Sequence, residues 1–306
     1  MTPRLLVVVS ALACACASGR AGTAAPPAAA PPPGAAPGTS PAGPAATATT
    51  PPPPPPASGS TTVRYGPSAL RYLVQRQLHI QQTVGDHVQA QNLGARIFVT
   101  MAITGPADSV GYPTTFSVDS IVADSGTPQP ITDNIVRVRR LVFAGRVARR
   151  GEFVNAAPSD SALAQSVSQI LGNFRDFLPR LSPDGVKPGA AWTDTVETTQ
   201  KGSDAATARR AIIHATATGW EDRAGLTGLR VATSQTYHVT GSGKNAGQPY
   251  ELSGEGTATG TAFLAADGRY MAGEVRDSTA LTIRLPVQGV SVPVVQVAHT
   301  TVSVLP

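Results

Sequence analysis

Tyr250 to Leu264 reads YELSGEGTATGTAFL, Ala265 to Arg269 reads AADGR, and Tyr270 to Leu285 reads YMAGEVRDSTALTIRL. Two long runs in which Thr recurs, with Tyr250, Phe263, Tyr270, Val275 and Ile283 among them, flank a short Asp-Gly turn. That arrangement predicts an antiparallel hairpin. The same texture continues on both sides. Trp192 to Thr199, Ala206 to Thr218, Gly225 to Thr240 and Val290 to Val304 read as strands. Towards the N-terminus, Tyr72 to Val84 alternates Gln77, His79 and Gln81 with Leu78 and Ile80 and ends at a Gly85-Asp86 turn. Leu93 to Ile103 and Thr114 to Ala123 follow in kind. Such strands predict a mainly β fold, a large twisted antiparallel sheet or an open barrel.

One segment breaks the pattern. In Ser159 to Leu178 the apolar residues Leu163, Val167, Ile170, Leu171, Phe174, Phe177 and Leu178 share helical spacing. Ser159 or Asp160 can cap its start and Pro179 stops it, so the spacing predicts a long amphipathic helix over 159–178 packed on the sheet. A second, shorter helix is expected over Thr132 to Leu141, where Ile131, Ile135, Val138 and Val142 repeat similarly. An internal echo links Phe143–Phe153 with Phe263–Tyr270: in each, two aromatic residues flank a Gly turn. The folded domain, 62–306, would then consist of two similar halves, 62–156 and 188–306, joined by the helix, or of one continuous sheet.

Residues 17–61 cannot join that core. Fourteen of the chain's 28 prolines lie in residues 26–56, six of them consecutive at Pro51 to Pro56. Ala, Gly, Ser and Thr supply most of the rest, so this stretch is expected to be a disordered tether. Extended as polyproline II at about 3.1 Å per residue, it would reach roughly 140 Å. Before it, Arg4, the apolar run Leu5 to Leu12 and the small residues from Ala13 to Gly19 form a secretory signal. The chain's only cysteines, Cys14 and Cys16, stand at its end. Ala11-Leu12-Ala13-Cys14 and Leu12-Ala13-Cys14-Ala15-Cys16 both resemble a bacterial lipobox, in which a cysteine is acylated and becomes the mature N-terminus. Leu12 is one place too near Cys14 and one too far from Cys16. The resemblance implies lipidation at Cys16, or at Cys14, and with Ala rather than Asp following, delivery to the outer membrane. An ordinary cleavage after Ala17 or Ala21, giving a soluble protein, is the alternative.

After the helical segment the chain reads Phe177-Leu178-Pro179-Arg180-Leu181-Ser182-Pro183-Asp184-Gly185-Val186-Lys187-Pro188-Gly189-Ala190-Ala191-Trp192. This resembles a junction of uncharacterised bacterial envelope lipoproteins, Leu-Pro…Val-Lys-Pro-Gly-x-x-Trp, leading from a helix into the strands of a second half. The family implies no activity. Physically, Pro188-Gly189 makes a tight turn and Trp192 starts a strand with its ring available to the core.

Catalytic and metal signatures do not emerge. His79, His87, His214, His238 and His299 are scattered over strands and turns without ligand spacing. Gly241-Ser242-Gly243-Lys244 lacks the first glycine and final Ser or Thr of a phosphate loop and reads as a solvated hairpin turn. Gly254-Glu255-Gly256 reads as a bend or bulge. Glu251 and Glu255 share a strand face about 13 Å apart by strand rise, too far for a glycosidase pair. One basic run stands out. Arg137, Arg139, Arg140, Arg146, Arg149 and Arg150 lie between Asp133 and Glu152 with no acid among them. They form a candidate anion-binding face for lipid headgroups or cell-wall polymers, against the plainer reading of a solvated basic surface.

Charged residues make up 14% of the chain, aromatics 5% and apolar residues 41%. A charge-rich disordered protein and a polytopic helical membrane protein are disfavoured, and a transmembrane barrel lacks its aromatic girdles. The expectation is a non-enzymatic, lipid-anchored envelope module, without cofactor, that binds an apolar ligand, a lipid or a partner protein and no nucleic acid. The alternative is a structural or surface-display lipoprotein; an enzyme is the least favoured reading.

Overall fold

The computed structural model describes residues 61–306 apart from 126, 128–131, 134, 140, 172–173, 202–204, 224 and 246. It is mainly β. The strands are β1 (Ser68–Val84), β2 (His87–Ile103), β3 (Tyr112–Ala123), β4 (Leu141–Val147), β5 (Phe153–Pro158), β6 (Ala191–Lys201), β7 (Ala205–Arg223), β8 (Leu226–Asn245), β9 (Gln248–Leu264), β10 (Tyr270–Leu285) and β11 (Val290–Leu305). They form one 11-stranded sheet in the order β5-β4-β3-β2-β1-β11-β10-β9-β8-β7-β6, antiparallel throughout. The pairing of β1 with β11, from Arg71↔Leu305 to Gln82↔Val294, joins the first strand to the last in mid-sheet. The stretches 62–156 and 188–306 therefore contribute five and six strands to one sheet. Its edges, β5 and β6, are consecutive in sequence, so the connection 159–190 runs from one edge to the other.

That connection is not one long helix. It contains α1 (Ser161–Ser166), α2 (Ser168–Leu171) and a 3-10 turn at Phe174–Asp176. Asp160 does cap α1, accepting from the Leu163 N–H at 2.9 Å. The break falls at Ser166-Val167-Ser168. Val167 leaves the helical conformation at φ −109° and ψ 5°, while the Ser166 and Ser168 hydroxyls bond back to the Leu163 and Gln165 carbonyls. Serine and valine are indifferent helix formers, and tertiary packing decides their conformation. The stripe survives the break: Leu163, Val167, Ile170, Leu171 and Leu178 are buried, and Phe174 and Phe177 pack against the same core. The expected second helix is cut to Thr132, Asp133 and Ile135 with a 3-10 turn at Val136–Val138; β4 begins at Leu141. Gly241 to Lys244 are paired residues of β8, not a turn.

The echo is structural. Both stretches are hairpin turns with matching backbone bonds, Ala148 N–H to Glu152 O and Gly151 N–H to Ala148 O in one, Ala265 N–H to Arg269 O and Gly268 N–H to Ala265 O in the other. Both turns press on the strand-like segment before β1. A Cβ on Gly151 would meet the Tyr65 ring at 2.6 Å, and one on Gly268 would meet the Arg64 carbonyl oxygen at 1.7 Å. At positive φ in both, only glycine allows this approach.

Alternation gives the sheet two unlike faces. The outer face carries cross-strand pairs such as Arg210 with Glu197 (3.3 Å), Arg284 with Glu251 (3.8 Å) and His238 with Glu255 (3.8 Å), each directly opposed in register. The inner face is apolar, and the sheet curls until Phe116, Val118, Leu141 and Phe143 of β3 and β4 share one core with Ala215, Ala217, Leu229 and Val231 of β7 and β8. Trp192, at the start of β6, packs on that core as its position after the Pro188-Gly189 turn predicts.

Candidate ligand-binding cavity

The core at one end of the curled sheet is aromatic. Phe174 lies 4.5 Å from Phe116 and 4.7 Å from Phe143 between ring centroids, and Phe177 meets Tyr72, Phe116 and Tyr270 edge-on at 5.2, 5.1 and 5.8 Å. Such pairs add about 0.5–1.5 kcal/mol each beyond burial. They pin the connection across the mouth of the sheet. The seam between the sheet edges is closed by charge as well. Arg150, in the β4–β5 turn, bonds to Asp194 of β6; Arg180 contacts Asp194 at 3.4 Å, Glu152 at 2.7 Å and Asp176 at 3.9 Å; Asp176 reaches Arg209 of β7 at 3.8 Å. Asp194 is only 8% exposed, so two guanidinium groups offset its desolvation.

Beyond this plug the interior opens into a cavity of about 400 Å³, within the range of small-molecule sites. Its roof is Leu171, Phe174, Phe177 and Leu178 from the connection, with Val74, Ile97 and Val99 beside them. The opposite wall exists because the sequence places small residues at inward positions: Ala258, Gly260 and Ala262 on β9, Gly273 on β10 and Ala298 on β11. Two further apolar clusters border it, one around Ile80, Leu93, Leu252 and Ile283, the other around Val196, Ala211 and Ile213, of which Val196 and Ile213 line the cavity.

Polar groups also line the cavity. Thr233, Gln235, Gln296 and Thr300 face it, as do Tyr237 and Asp277. Tyr237 lies across Gly256, where a Cβ would come within 2.2 Å of its ring, and reaches two strands over to Asp277 at 2.8 and 2.9 Å and Thr279 at 2.5 Å. Burial, and then the Asp277 charge, push the Tyr237 hydroxyl above the ordinary phenol range. It therefore stays protonated and donates to Asp277 at physiological pH. The Arg209 guanidinium sits 4.2 Å over the Tyr237 ring. Arg76 enters from β1, its Nη1 3.5 Å from the Thr300 hydroxyl.

The six arginines singled out in the sequence are not drawn into one site by any contact among the described residues. Arg146 is held by Asp108 at 2.5 Å, and Arg150 by Asp194. Two backbone N–H groups, Gly111 and Val110, join Arg146 in pulling the exposed Asp108 carboxyl below its ordinary range. Arg137, Arg139 and Arg149 are exposed. Arg140, Cys14 and Cys16 lie outside the described residues. His79, His214, His238 and His299 lie on the outer face, each within reach of one polar partner: Asn92, Thr193, Glu255 and Glu274. The cavity residues Arg76, Arg209, Tyr237 and Asp277 escaped the sequence reading. The available signal was the small residue at every second position from Gly254 to Ala262, which on a strand means one face.

No family model matches the chain, and no curated protein matches it. Among solved structures, one similar chain is that described as the crystal structure of Pseudomonas aeruginosa OccK2 (OpdF), 9% identical, with a TM-score of 0.26 over 78% of this chain and 98% of that one. At that TM-score the likeness does not establish a common fold.

Proposed function

We propose that the protein is a non-enzymatic, lipid-anchored component of a bacterial envelope whose β domain holds an apolar or amphipathic ligand inside the curled sheet. The cavity of about 400 Å³ between the Phe174–Phe177 plug and the small residues of β9 carries this reading. The space is partly open to solvent, and it joins buried apolar side chains to a few polar ones, the composition of a small-molecule site. The outer face supports an aqueous setting. Arg210, Arg230, Arg276 and Arg284 all point outward with acidic partners, and in a lipid-facing band each would cost about 2–4 kcal/mol near the bilayer midplane. Acylation at Cys16 or Cys14, followed by the proline-rich tether, would hold such a domain beside the outer membrane while leaving it free to move.

The test is to purify the chain from native membranes, extract it with organic solvent and identify bound lipid by mass spectrometry, with acyl-labelling of the wild type and of the Cys14→Ser/Cys16→Ser chain alongside. A stoichiometric apolar molecule in both proteins and acyl label only in the wild type are expected. A cavity that returns empty, and that also fails to bind the neutral fluorophore N-phenyl-1-naphthylamine saturably, removes the ligand reading; label in both chains removes the anchor.

A further inference from the structure

We infer that the cavity selects an uncharged amphiphile, its apolar end under Phe174 and Phe177 and a hydroxyl head in the polar band that holds Gln235 and Gln296. The inference deepens the ligand reading above and rests on it. The register stacks the inward side chains of the wall in successive cross-strand rows. Nearest the plug, Val231, Ala262, Gly273, Val302 and Val74 form a row without a polar side-chain atom. Two residues further along each strand, Thr233 and Thr300 enter the row. The next row holds Gln235 and Asp277 beside Ala258 and Ala298, and the one after it Tyr237, Thr279 and Gln296. Beyond these the row of Val239, Leu281 and Val294 is apolar again. From Val231 to Tyr237 the strand rises about 20 Å, so an apolar end and a polar band lie within reach of one amphiphile.

The charges around this band are matched from within the protein. Asp176 faces both Arg180 and Arg209. Arg180 also reaches Glu152 and Asp194, and Arg150 shares Asp194. Asp277 accepts from Tyr237 and Thr279, and Arg76 donates to Thr300. By formal charge, Arg76, Arg150, Arg180 and Arg209 stand with Glu152, Asp176, Asp194 and Asp277, so wall and seam together leave no net charge for a ligand ion to neutralise. An ionic head entering the band would lose hydration with no counter-charge to offset the loss. What the band offers is neutral. The Gln235 and Gln296 carboxamides each carry donors and an acceptor, the Thr233 hydroxyl does both, and all three line the space. A ligand hydroxyl likewise donates and accepts, which suits it to these partners, while the hydrocarbon belongs in the row from Val231 to Val74 under the aromatic rings.

The experiment uses the full-length Cys14→Ser/Cys16→Ser chain, handled without detergent at neutral pH, with N-phenyl-1-naphthylamine bound in the cavity. Decanol, decanoate, decylammonium and methyl nonyl ether are compared as displacers. Decanol should displace the fluorophore at least about tenfold more effectively than either ion, because the ions pay for desolvation without a partner. It should also exceed the ether about threefold, although the ether is the less polar molecule, because only the alcohol can donate a hydrogen bond. Adding Gln235→Met and Gln296→Met removes both carboxamides at nearly unchanged volume and should erase the preference for decanol over the ether. An ion that matches decanol overturns the inference, as does an ether that matches it, even if the methionine variant fails to fold. So does a preference for decanol over the ether that survives both substitutions. Failure of all four to displace a bound fluorophore, or failure of the fluorophore to bind, instead counts against the cavity as a ligand site.

Discussion

Two stretches of the same inner face behave in opposite ways. Where β3 and β4 meet the connection, Phe116, Phe143, Phe174 and Phe177 interlock and Phe116 is fully buried. Part-way along β9, Ala258, Gly260 and Ala262 occupy equivalent inward positions and leave about 400 Å³ open. Both alternate between the two faces, although β3 and β4 pair with neighbours through register shifts and Ala258 to Ala262 do not. The inward side chains differ in volume, and the contrast teaches that a strand pattern fixes which way a residue points without fixing whether the space it faces is filled. The glycines sharpen the point. Gly256 is covered by the Tyr237 ring, 2.2 Å from an added Cβ, and Gly273 by the Tyr270 hydroxyl, 2.0 Å from one. At Gly260 the nearest neighbour of an added Cβ would be the Thr233 hydroxyl, at 2.8 Å.

The contrast breaks most sharply at Phe116. Phe116→Ala should destabilise by about 3–5 kcal/mol in chemical denaturation, because it removes a ring held by two others and leaves a cavity that the plug cannot collapse into. If the aromatic end is as loosely filled as the β9 wall, the loss will stay below about 1 kcal/mol. Next in size comes Asp194, which marks the border between the packed end and the open one. Asp194→Ala leaves Arg180, only 15% exposed, short of one carboxylate. A loss near 3 kcal/mol is expected, at the lower end for a broken buried pair because Arg150 can turn to water and Arg180 keeps Glu152. A melt unchanged by Asp194→Ala would mean that the seam is held by packing and not by charge.

The strands were legible because β-branched residues recur with a period of two over stretches long enough to be unambiguous. β4 and β5 were not. Leu141–Val147 and Phe153–Pro158 are short and flank a turn that carries Arg149 and Arg150, and their only signal was the likeness of Phe143–Phe153 to Phe263–Tyr270. The plug was half legible. Its apolar spacing identified the buried residues from Leu163 to Leu178, yet the same spacing is satisfied by successive short turns that each bring an apolar side chain to the core. What separates the two is Ser166-Val167-Ser168, a local preference too weak to read without the packing around it. The cavity was illegible for a different reason. Whether an inward glycine leaves a void depends on where a tyrosine falls, on the next strand for Gly256 or three residues back on the same strand for Gly273, and the pairing order β11-β1 that brings Arg76 beside Thr300 joins residues 224 apart in sequence.

The smallest effect on stability and the largest on binding should come from filling the void. Ala258 lines the cavity from β9, with Asp277 of β10 and Gln235 of β8 as its direct cross-strand neighbours. Ala258→Leu adds three carbons to space that is already open, so it should neither strain the sheet nor expose new surface. Overpacking of a filled core typically costs about 1–3 kcal/mol, and a leucine placed among the aromatic rings would show it. At position 258 the change in stability should stay within about 1 kcal/mol of zero, with a gain if the side chain finds the roof formed by Phe174 and Phe177. Binding of N-phenyl-1-naphthylamine should fall at least about tenfold in the same protein, since the leucine side chain and the fluorophore compete for one volume. Thermal melts and a fluorescence titration on one preparation read both quantities. A loss of several kcal/mol would show that the space is closed in solution and that the two stretches of the inner face are packed alike; unchanged binding would place the fluorophore elsewhere.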